Sequence, residues 1–239
     1  MSAGPWLFAL LLAAPLVVAA AAKPEYRLAR AMASRTDLVA GGEAAWAGVR
    51  TVAFGPAPYE TRFRGLWDDQ GLHLRFDADD AAPWHTMTKR DQHLWEEEVV
   101  EIFIDPNRSG RDYAELEISP ANVVCDLRMI SPWPDKKGDI DWNIEGLDTN
   151  VVLRKKDGKT TGWTALAFLP WDSFRSLPST KGIALPPRPE DRWRFNLFRI
   201  KRPGGTQAPE NGAVQVAWSE PPGESFHVPE VFRDLVFER

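Results

Sequence analysis

Apolar and polar residues alternate in short segments along the chain from Arg50 onward. Leu72, Leu74 and Phe76, for example, are separated by single polar residues. An apolar residue at every second position is typical of a half-buried strand. Gly, Pro, Asn and Asp lie between the segments and favour turns. The pattern predicts an all-β fold, an antiparallel β-sandwich or jelly roll of about ten strands. The predicted strands cover residues 61–67, 72–76, 99–104, 113–119, 123–130, 150–155, 163–169, 193–200, 214–218 and 235–237.

Helical periodicity is nearly absent after the N-terminal segment, and at most a turn or two of helix is predicted near 170–174. Pro and Gly cluster at 132–138, 178–189 and 203–212, but the strand pattern resumes after each cluster without a change of composition. These clusters are therefore predicted to be long loops rather than linkers between domains. Residues 23–239 are predicted to form a single domain.

The N-terminal segment has the composition of a secretory signal. Residues 1–22 carry no charged side chain and hold an apolar run from Trp6 to Ala22, which Pro15 interrupts. The alanine-rich end suits a signal peptidase, so we predict a signal peptide over 1–22. The mature protein is then secreted or periplasmic, without stable membrane insertion. The run is also long enough for an uncleaved membrane anchor, which would keep the protein attached to the membrane.

Composition narrows the class of protein. The formal charge is -5, from 29 Lys plus Arg and 34 Asp plus Glu, and no long basic run offers the electrostatic surface that nucleic acid requires. An apolar fraction of 44% predicts a packed core. Cys125 is the single cysteine, which excludes an internal disulfide and a metal site built on paired cysteines. Because it lies in a predicted strand, we expect it to be buried.

Tryptophan is unusually frequent, with 11 Trp against 3 Tyr. Trp67, Trp163, Trp193 and Trp218 lie in predicted strands and are expected to pack in the core. Trp95 precedes a strongly apolar strand in a segment rich in carboxylates, and we assign it to function.

Candidate binding chemistry surrounds Trp95. Glu101 lies within the predicted strand that follows, where a carboxylate needs a partner from the protein or from a ligand. Glu115 and Glu117 share one face of the next predicted strand, so a hairpin would place these carboxylates and an aromatic ring on a common surface. Carboxylates accept hydrogen bonds from sugar hydroxyls, and aromatic rings stack on the apolar faces of a sugar. We expect Glu101 to belong to such a site and Glu115 to lie on a solvated face.

Several separated motifs resemble the family 9 carbohydrate-binding modules and their stand-alone relatives. The resemblance covers roughly residues 38–239. It implies a β-sandwich of the DOMON-like type, a sugar bound between two aromatic rings, and structural calcium. The motifs are WEEEVVEIFIDP at 95–106, YAELEISPANVVCD at 113–126, WRFNLFRIKR at 193–202, AWSEP at 217–221 and SFHVPEVF at 225–232.

The resemblance implies roles for individual residues. Trp95 matches the first stacking ring, and Glu101 matches a carboxylate that binds sugar hydroxyls. Phe226 stands where the family has a second stacking tryptophan, and Glu117 stands where the family has a binding arginine. The segment before Trp95 is predicted to contribute to the carbohydrate site as well, through Trp84, Lys89 and Arg90. No catalytic residue is predicted.

A calcium site is a further expectation. Asp77, Asp79 and Asp80 offer oxygen ligands at close spacing near the end of a predicted strand, and the resemblance implies structural calcium. An acidic turn without a metal ion explains the same spacing equally well.

Two other functions stay open. Glu101 and Glu117 have the residue types of a glycoside hydrolase, if the fold holds them on either side of a glycosidic bond. Related DOMON-like domains also bind haem, and Met87, Lys89 or Met129 together with a histidine would supply axial ligands. The function that we predict is non-catalytic binding of a saccharide or of a polysaccharide end, in support of extracellular polysaccharide breakdown.

Overall fold

The computed structural model describes residues 25–208 and 212–239, so the predicted signal peptide lies outside the described residues. These residues contain thirteen strands, and two short helices accompany them: α1 (Arg35–Ala40) and α2 (Trp171–Phe174). The strands are β1 (Tyr26–Arg30), β2 (Thr51–Phe54), β3 (Thr61–Trp67), β4 (Gly71–Asp79), β5 (Val99–Asp105), β6 (Tyr113–Ile118), β7 (Val124–Ser131), β8 (Lys137–Asp139), β9 (Asp148–Lys156), β10 (Lys159–Pro170), β11 (Arg192–Lys201), β12 (Val214–Ala217) and β13 (Arg233–Phe237).

The strands form two sheets that share β1. The first sheet has the order β8-β7-β6-β5-β11-β13-β1, with β12 beside β11. The second has the order β1-β3-β4-β10-β9, with β2 beside β3. The first half of β1 pairs with β13, Tyr26 opposite Leu235, and its second half pairs with β3, Arg30 opposite Trp67. One strand therefore joins the two layers of the sandwich.

The main core lies between the two sheets. Alternate residues of β5, such as Ile102, and of β11, such as Leu197, face Leu74 and Phe76 of β4 across this core. Trp67, Trp163 and Trp193 are buried in it, as the sequence predicts, and Trp218 packs against its edge. Burial of these large apolar side chains supplies the main driving force for folding.

The predicted all-β sandwich is confirmed, with two differences. All ten predicted strands are present, but β1, β2 and β8 were not predicted because each is short and lacks clear alternation. The sheet is mixed rather than purely antiparallel, since β1 runs parallel to both β13 and β3. The turn of helix predicted near Pro170 is α2.

A second apolar cluster covers the outer face of the first sheet. The outward side chains of β5, β6, β7 and β11, which include Phe103, Tyr113 and Phe198, pack beneath the β4–β5 loop and the β12–β13 loop. Cys125 is buried in this cluster, as predicted. These two loops carry Trp95 and Phe226, so they place both candidate stacking rings over the same sheet face.

Candidate functional site

A cavity of about 400 Å³ opens on the outer face of the first sheet. Four neighbouring strands, β5, β6, β7 and β11, supply three of its carboxylates and several apolar side chains, and loops and the short strands β8 and β12 supply the rest. Trp95 and Phe226 are its aromatic residues, and Leu127, Met129, Ile140 and Ile200 are apolar. The acidic side chains that line it are Glu101, Glu115, Glu117 and Glu224, and Lys136 is the basic one.

Strand register brings three glutamates together. Glu101 of β5 lies directly opposite Glu117 of β6, and Glu115 lies two residues earlier on the same face of β6. Their exposed fractions are 2%, 1% and 4%, and one carboxylate oxygen from each lies within 4.8 Å of the others. We call Glu101, Glu115 and Glu117 the glutamate trio. The hairpin predicted from the sequence is present and produces this cluster.

Within the described part of the chain, no group outside the trio donates to its buried oxygens. Oε1 of Glu101, Oε2 of Glu115 and both carboxylate oxygens of Glu117 lack such a donor, and the hydrogen bond between the Glu115 and Glu117 side chains lies within the trio. Burying an acceptor without a donor costs about 1–3 kcal/mol, and more for a charged group. A ligand that supplies donors would remove this cost.

Burial raises the pKa of all three carboxyl groups. It raises the pKa of Glu115 to about 7, and it raises the pKa of Glu101 and of Glu117 well above the ordinary value of a glutamate. The neighbouring negative charge of Glu115 contributes to the shift at Glu101. The positive charge of the exposed Lys136 acts in the opposite direction on all three. At neutral pH the trio therefore retains protons that ordinary glutamates have lost.

His227 lines the cavity, and its uncharged ring is held in place by its neighbours. Its ring stacks on Phe103 with 4.8 Å between the ring centroids, and its Nδ1 lies 2.9 Å from the hydroxyl of Tyr113. Burial lowers the pKa of His227 to about 3, so the ring is uncharged at neutral pH. Its Nδ1 lies 4.0 Å from Oε2 of Glu115, beyond hydrogen-bond distance.

Each candidate stacking ring is half-buried and supported on one side. Trp95 stacks on His93 with 4.4 Å between ring centroids, and Phe226 stacks on Phe198 at 4.3 Å. Both rings line the cavity. The supporting contacts hold the rings in place before a ligand binds, which reduces the entropy lost on binding.

Three residues of the predicted carbohydrate site lie elsewhere. Trp84, Lys89 and Arg90 are absent from the cavity lining, because their segment packs beside the cavity instead. The indole nitrogen of Trp84 donates to the carbonyl of Arg202 at 2.7 Å. Arg90 forms an ion pair with the buried Asp126, and the backbone N–H of Lys89 donates to a glutamine side chain. We therefore assign these residues to the local structure of the β4–β5 loop.

Most of the lining residues were not predicted for the site, and Glu115, Lys136, Gln215 and His227 are four polar ones among them. Glu115 was expected on a solvated face, but the two covering loops bury it. Its position two residues before Glu117 on the same strand face was the available signal. Lys136 and His227 come from loops, where no periodicity indicates direction, and Gln215 comes from the short predicted strand β12.

The residues of the expected calcium site are paired with basic side chains. Asp77 bonds to Arg64 and Arg75, and Asp79 bonds to Arg62 and Arg154. Asp80 bonds to Arg199 at 3.1 Å and to Lys201 at 2.9 Å. These carboxylates already have positive partners and face different neighbours, so this donor set does not fit a calcium ion. In the described chain, the acidic group with metal-ligand spacing is the glutamate trio.

Cavities lined by a few convergent polar groups and by aromatic rings are typical of ligand-binding domains. Residues 42–173 match the family described as carbohydrate family 9 binding domain-like. This match covers more than half of the chain, so the chain belongs to that family. Carbohydrate binding is the function that this membership assigns to it.

The sequence similarity to an individual relative is low. A protein of Arthroderma benhamiae named "Extracellular protein" is 25% identical over 189 residues, which are 74% of this chain and 78% of that protein. Within the described residues, no helix has both the length and the apolar character that crossing a membrane requires.

Solved structures show the same fold. A protein from Bacteroides uniformis that is thought to bind carbohydrate has a TM-score of 0.68 at 15% identity, covering 90% of this chain and 99% of that one. A family 9 carbohydrate-binding module from Caldicellulosiruptor kristjanssonii, in complex with cellotriose, has a TM-score of 0.59 at 14% identity, covering 90% and 94%. A complex with glucose of a family 9 module from the same organism has a TM-score of 0.56 at 13% identity, covering 90% and 96%.

Proposed function

We propose that the protein binds the end of a saccharide chain in the cavity on the first sheet and does not cleave it. The observation that carries the proposal is the combination of two supported aromatic rings, Trp95 and Phe226, with buried carboxylates that lack donors. Aromatic faces suit the apolar C–H surfaces of a sugar, and the carboxylates suit its hydroxyl groups. The cellotriose and glucose complexes of family 9 modules with this fold support a saccharide ligand.

The arrangement of the carboxylates favours binding over catalysis. In most glycoside hydrolases two carboxyl groups flank the scissile bond at about 5–5.5 Å or about 6.5–9.5 Å. The glutamate trio instead lies on one face of the β5–β6 hairpin, with Glu101 directly opposite Glu117, rather than on two sides of a cleft. Its three members also share a raised pKa, whereas a hydrolase needs one carboxyl group that stays ionised beside one that stays protonated.

A neighbouring cavity supports a ligand longer than one sugar. This second cavity has a volume of about 390 Å³ and shares Lys136, Glu224 and Ser225 with the first. Trp133 lines it and is 61% exposed, which is unusual for so large an apolar side chain. We place the second sugar of the chain against Trp133.

The proposed setting is outside the cytoplasm. The predicted signal peptide and the Arthroderma benhamiae relative named "Extracellular protein" support secretion. In that setting, binding to saccharide ends would support the breakdown of extracellular polysaccharide by other proteins.

Tryptophan fluorescence tests the proposal directly. A panel of gluco-, xylo- and amino-oligosaccharides is titrated into the wild-type protein, and Trp95→Ala is expected to weaken binding at least about tenfold, since one stacking ring is lost. Trp142→Ala is the matched control, because Trp142 is half-buried but does not line the cavity. Binding unchanged by Trp95→Ala in a folded protein would remove Trp95 from the site.

Catalysis is tested separately. Wild type and Glu101→Gln are incubated with glucans and xylans, and no release of reducing sugar above buffer is expected from either. If the wild type releases reducing sugar and Glu101→Gln does not, the protein is a glycoside hydrolase and the proposal of binding without cleavage is wrong.

A further inference from the structure

We propose that this site selects a saccharide whose terminal sugar carries a free ammonium group, which the glutamate trio binds. The inference rests on the proposed saccharide binding and specifies its ligand class. It is carried by the charge, the geometry and the unpaired oxygens of the cavity.

The charge of the cavity favours a cation. Four acidic side chains line it, and Lys136 is the basic side chain among the described lining residues. Lys136 is exposed, whereas Glu101, Glu115 and Glu117 are almost fully buried. His227 adds no positive charge, because burial keeps its ring neutral. Buried carboxyl groups without a basic partner retain protons because their ionised forms are costly, and a positive ligand can compensate the ionised forms whereas a neutral ligand cannot.

The geometry of the trio fits an ammonium group. Three oxygens within 4.8 Å of one another lie at most about 2.8 Å from a nitrogen centred among them, which is within the length of a charge-assisted N–H···O bond. A primary ammonium has three N–H donors, one for each carboxylate. Each of the three side chains has at least one carboxylate oxygen that lacks a hydrogen-bond partner within the described residues.

Two other ligands fit less well. A sugar hydroxyl has one donor, so a neutral sugar would need three hydroxyl groups directed at the trio to supply what one ammonium group supplies. A calcium ion requires six to eight oxygen ligands, but much of the remaining lining is apolar, including Leu127, Met129 and Ile200. The stacking rings Trp95 and Phe226 also point to an organic ligand rather than to a bare ion.

Ammonium binding should displace protons from the trio. The carboxyl groups retain protons at neutral pH when no ligand is bound, and a cation favours their ionised forms. The other titratable groups that face the trio are Tyr113 of β6, Cys125 of β7, Lys136 after β7, and Glu224 and His227 before β13. Burial raises the pKa of Tyr113 and of Cys125, so both stay neutral at pH 7.

The experiment compares three disaccharides that share a β1,4-linked glucose backbone and differ at carbon 2. They are diglucosamine with an ammonium group, cellobiose with a hydroxyl group, and diacetylchitobiose with an acetamido group. Isothermal titration of the full protein at pH 7 is expected to show diglucosamine binding at least about tenfold more tightly than the other two. Titration in two buffers of different ionisation enthalpy should show proton release with diglucosamine only.

Variants assign the selectivity to the trio. Glu117→Gln is expected to reduce the preference for diglucosamine about tenfold or more, and to weaken cellobiose binding much less. Glu145→Gln is the matched control for charge, because Glu145 is exposed and does not line the cavity. Glu101→Gln is a second variant in the trio, and circular dichroism verifies that each variant is folded.

Each outcome decides the proposal. Cellobiose binding as tight as diglucosamine binding would overturn the ammonium preference and leave saccharide binding intact. A preference that survives both Glu117→Gln and Glu101→Gln would overturn the role of the trio. If chelator-treated protein binds sugar only after calcium is added, the trio binds a metal ion and the ammonium proposal is wrong. If no saccharide of the wider panel binds, the proposed function itself is wrong.

Discussion

Two groups of buried acidic side chains lie on opposite faces of the first sheet, and they differ in what faces them. On the inner face, Asp80 and Glu98 meet Arg199 and Lys201, so two acidic groups have two basic partners. On the outer face, the glutamate trio meets a cavity lined by one exposed lysine. Both groups are almost fully buried, and among the described residues only the first is paired with basic side chains.

The inner group, Asp80 and Glu98 with Arg199 and Lys201, has a structural role. The ammonium of Lys201 contacts both carboxylates and also donates to the carbonyl of Ala82 at 2.8 Å, while the guanidinium of Arg199 lies 4.9 Å from the centre of the Trp163 ring. No such set of partners exists for the trio among the described residues. Buried acidic side chains with basic partners stabilise a fold. Buried acidic side chains without such partners, beside a cavity, indicate a ligand-binding site.

Breaking the inner group should have the largest effect. Lys201→Met removes a basic partner from Asp80 and Glu98, and it is expected to lower the free energy of unfolding by about 3–5 kcal/mol. Urea denaturation at pH 7 measures the change. Lys155→Met, at an exposed position of β9, is the control and should change it by less than about 0.5 kcal/mol. A loss below about 1 kcal/mol for Lys201→Met would mean that the two groups do not differ in this way.

A substitution in the trio should act in the opposite direction. The pKa of Glu115 is about 7 in the folded protein and 4.5 for the ordinary side chain, so the folded state holds the proton more tightly. Ionisation therefore reduces wild-type stability as pH rises from about 4.5 to about 7, and the reduction is complete above that range. Glu115→Gln removes it, at most about 3 kcal/mol at pH 8 and close to zero at pH 4.

Thermal unfolding measures this prediction. We expect Glu115→Gln to raise the Tm by about 5 °C or more at pH 8 and to leave it nearly unchanged at pH 4. Equal shifts at both pH values would show that ionisation of the trio is not the cause.

Trp133 should give the smallest effect, and one confined to binding. Trp133→Ala is expected to weaken binding of a trisaccharide about fivefold and to leave monosaccharide binding unchanged, because only the longer ligand reaches the second cavity. The free energy of unfolding should stay within about 0.5 kcal/mol of wild type, since this side chain is 61% exposed. Leu153→Ala, another exposed apolar residue, is the control for both measurements. Equal losses for both ligands would argue against a second sugar at Trp133.

Sequence patterns predicted the parts of the molecule that depend on local periodicity. The alternation in β5 and β6 placed Glu101 and Glu117 on one face, and the register of the hairpin makes them direct neighbours. The burial of Glu115 could not be predicted, because it depends on loops from two distant parts of the chain. The position of Lys136 at the cavity could not be predicted for the same reason.

Long-range pairing limited the other predictions. Asp80 was expected to take part in a calcium site, but its basic partners lie 119 and 121 positions away in sequence. The parallel pairing of β1 was also missed, because its partner strand β13 lies at the other end of the described chain. Spacing within a segment carries no information about such contacts.

The position of β1 between the two sheets has a consequence for the order of folding. One of its side chains meets a partner far along the sequence, since Arg27 bonds to Glu238, 211 positions further on. Neither sheet is complete without this strand, so the sandwich closes only after synthesis reaches β13. Chains dominated by such distant pairings fold slowly. The complete sandwich is therefore expected to form in one late step rather than strand by strand.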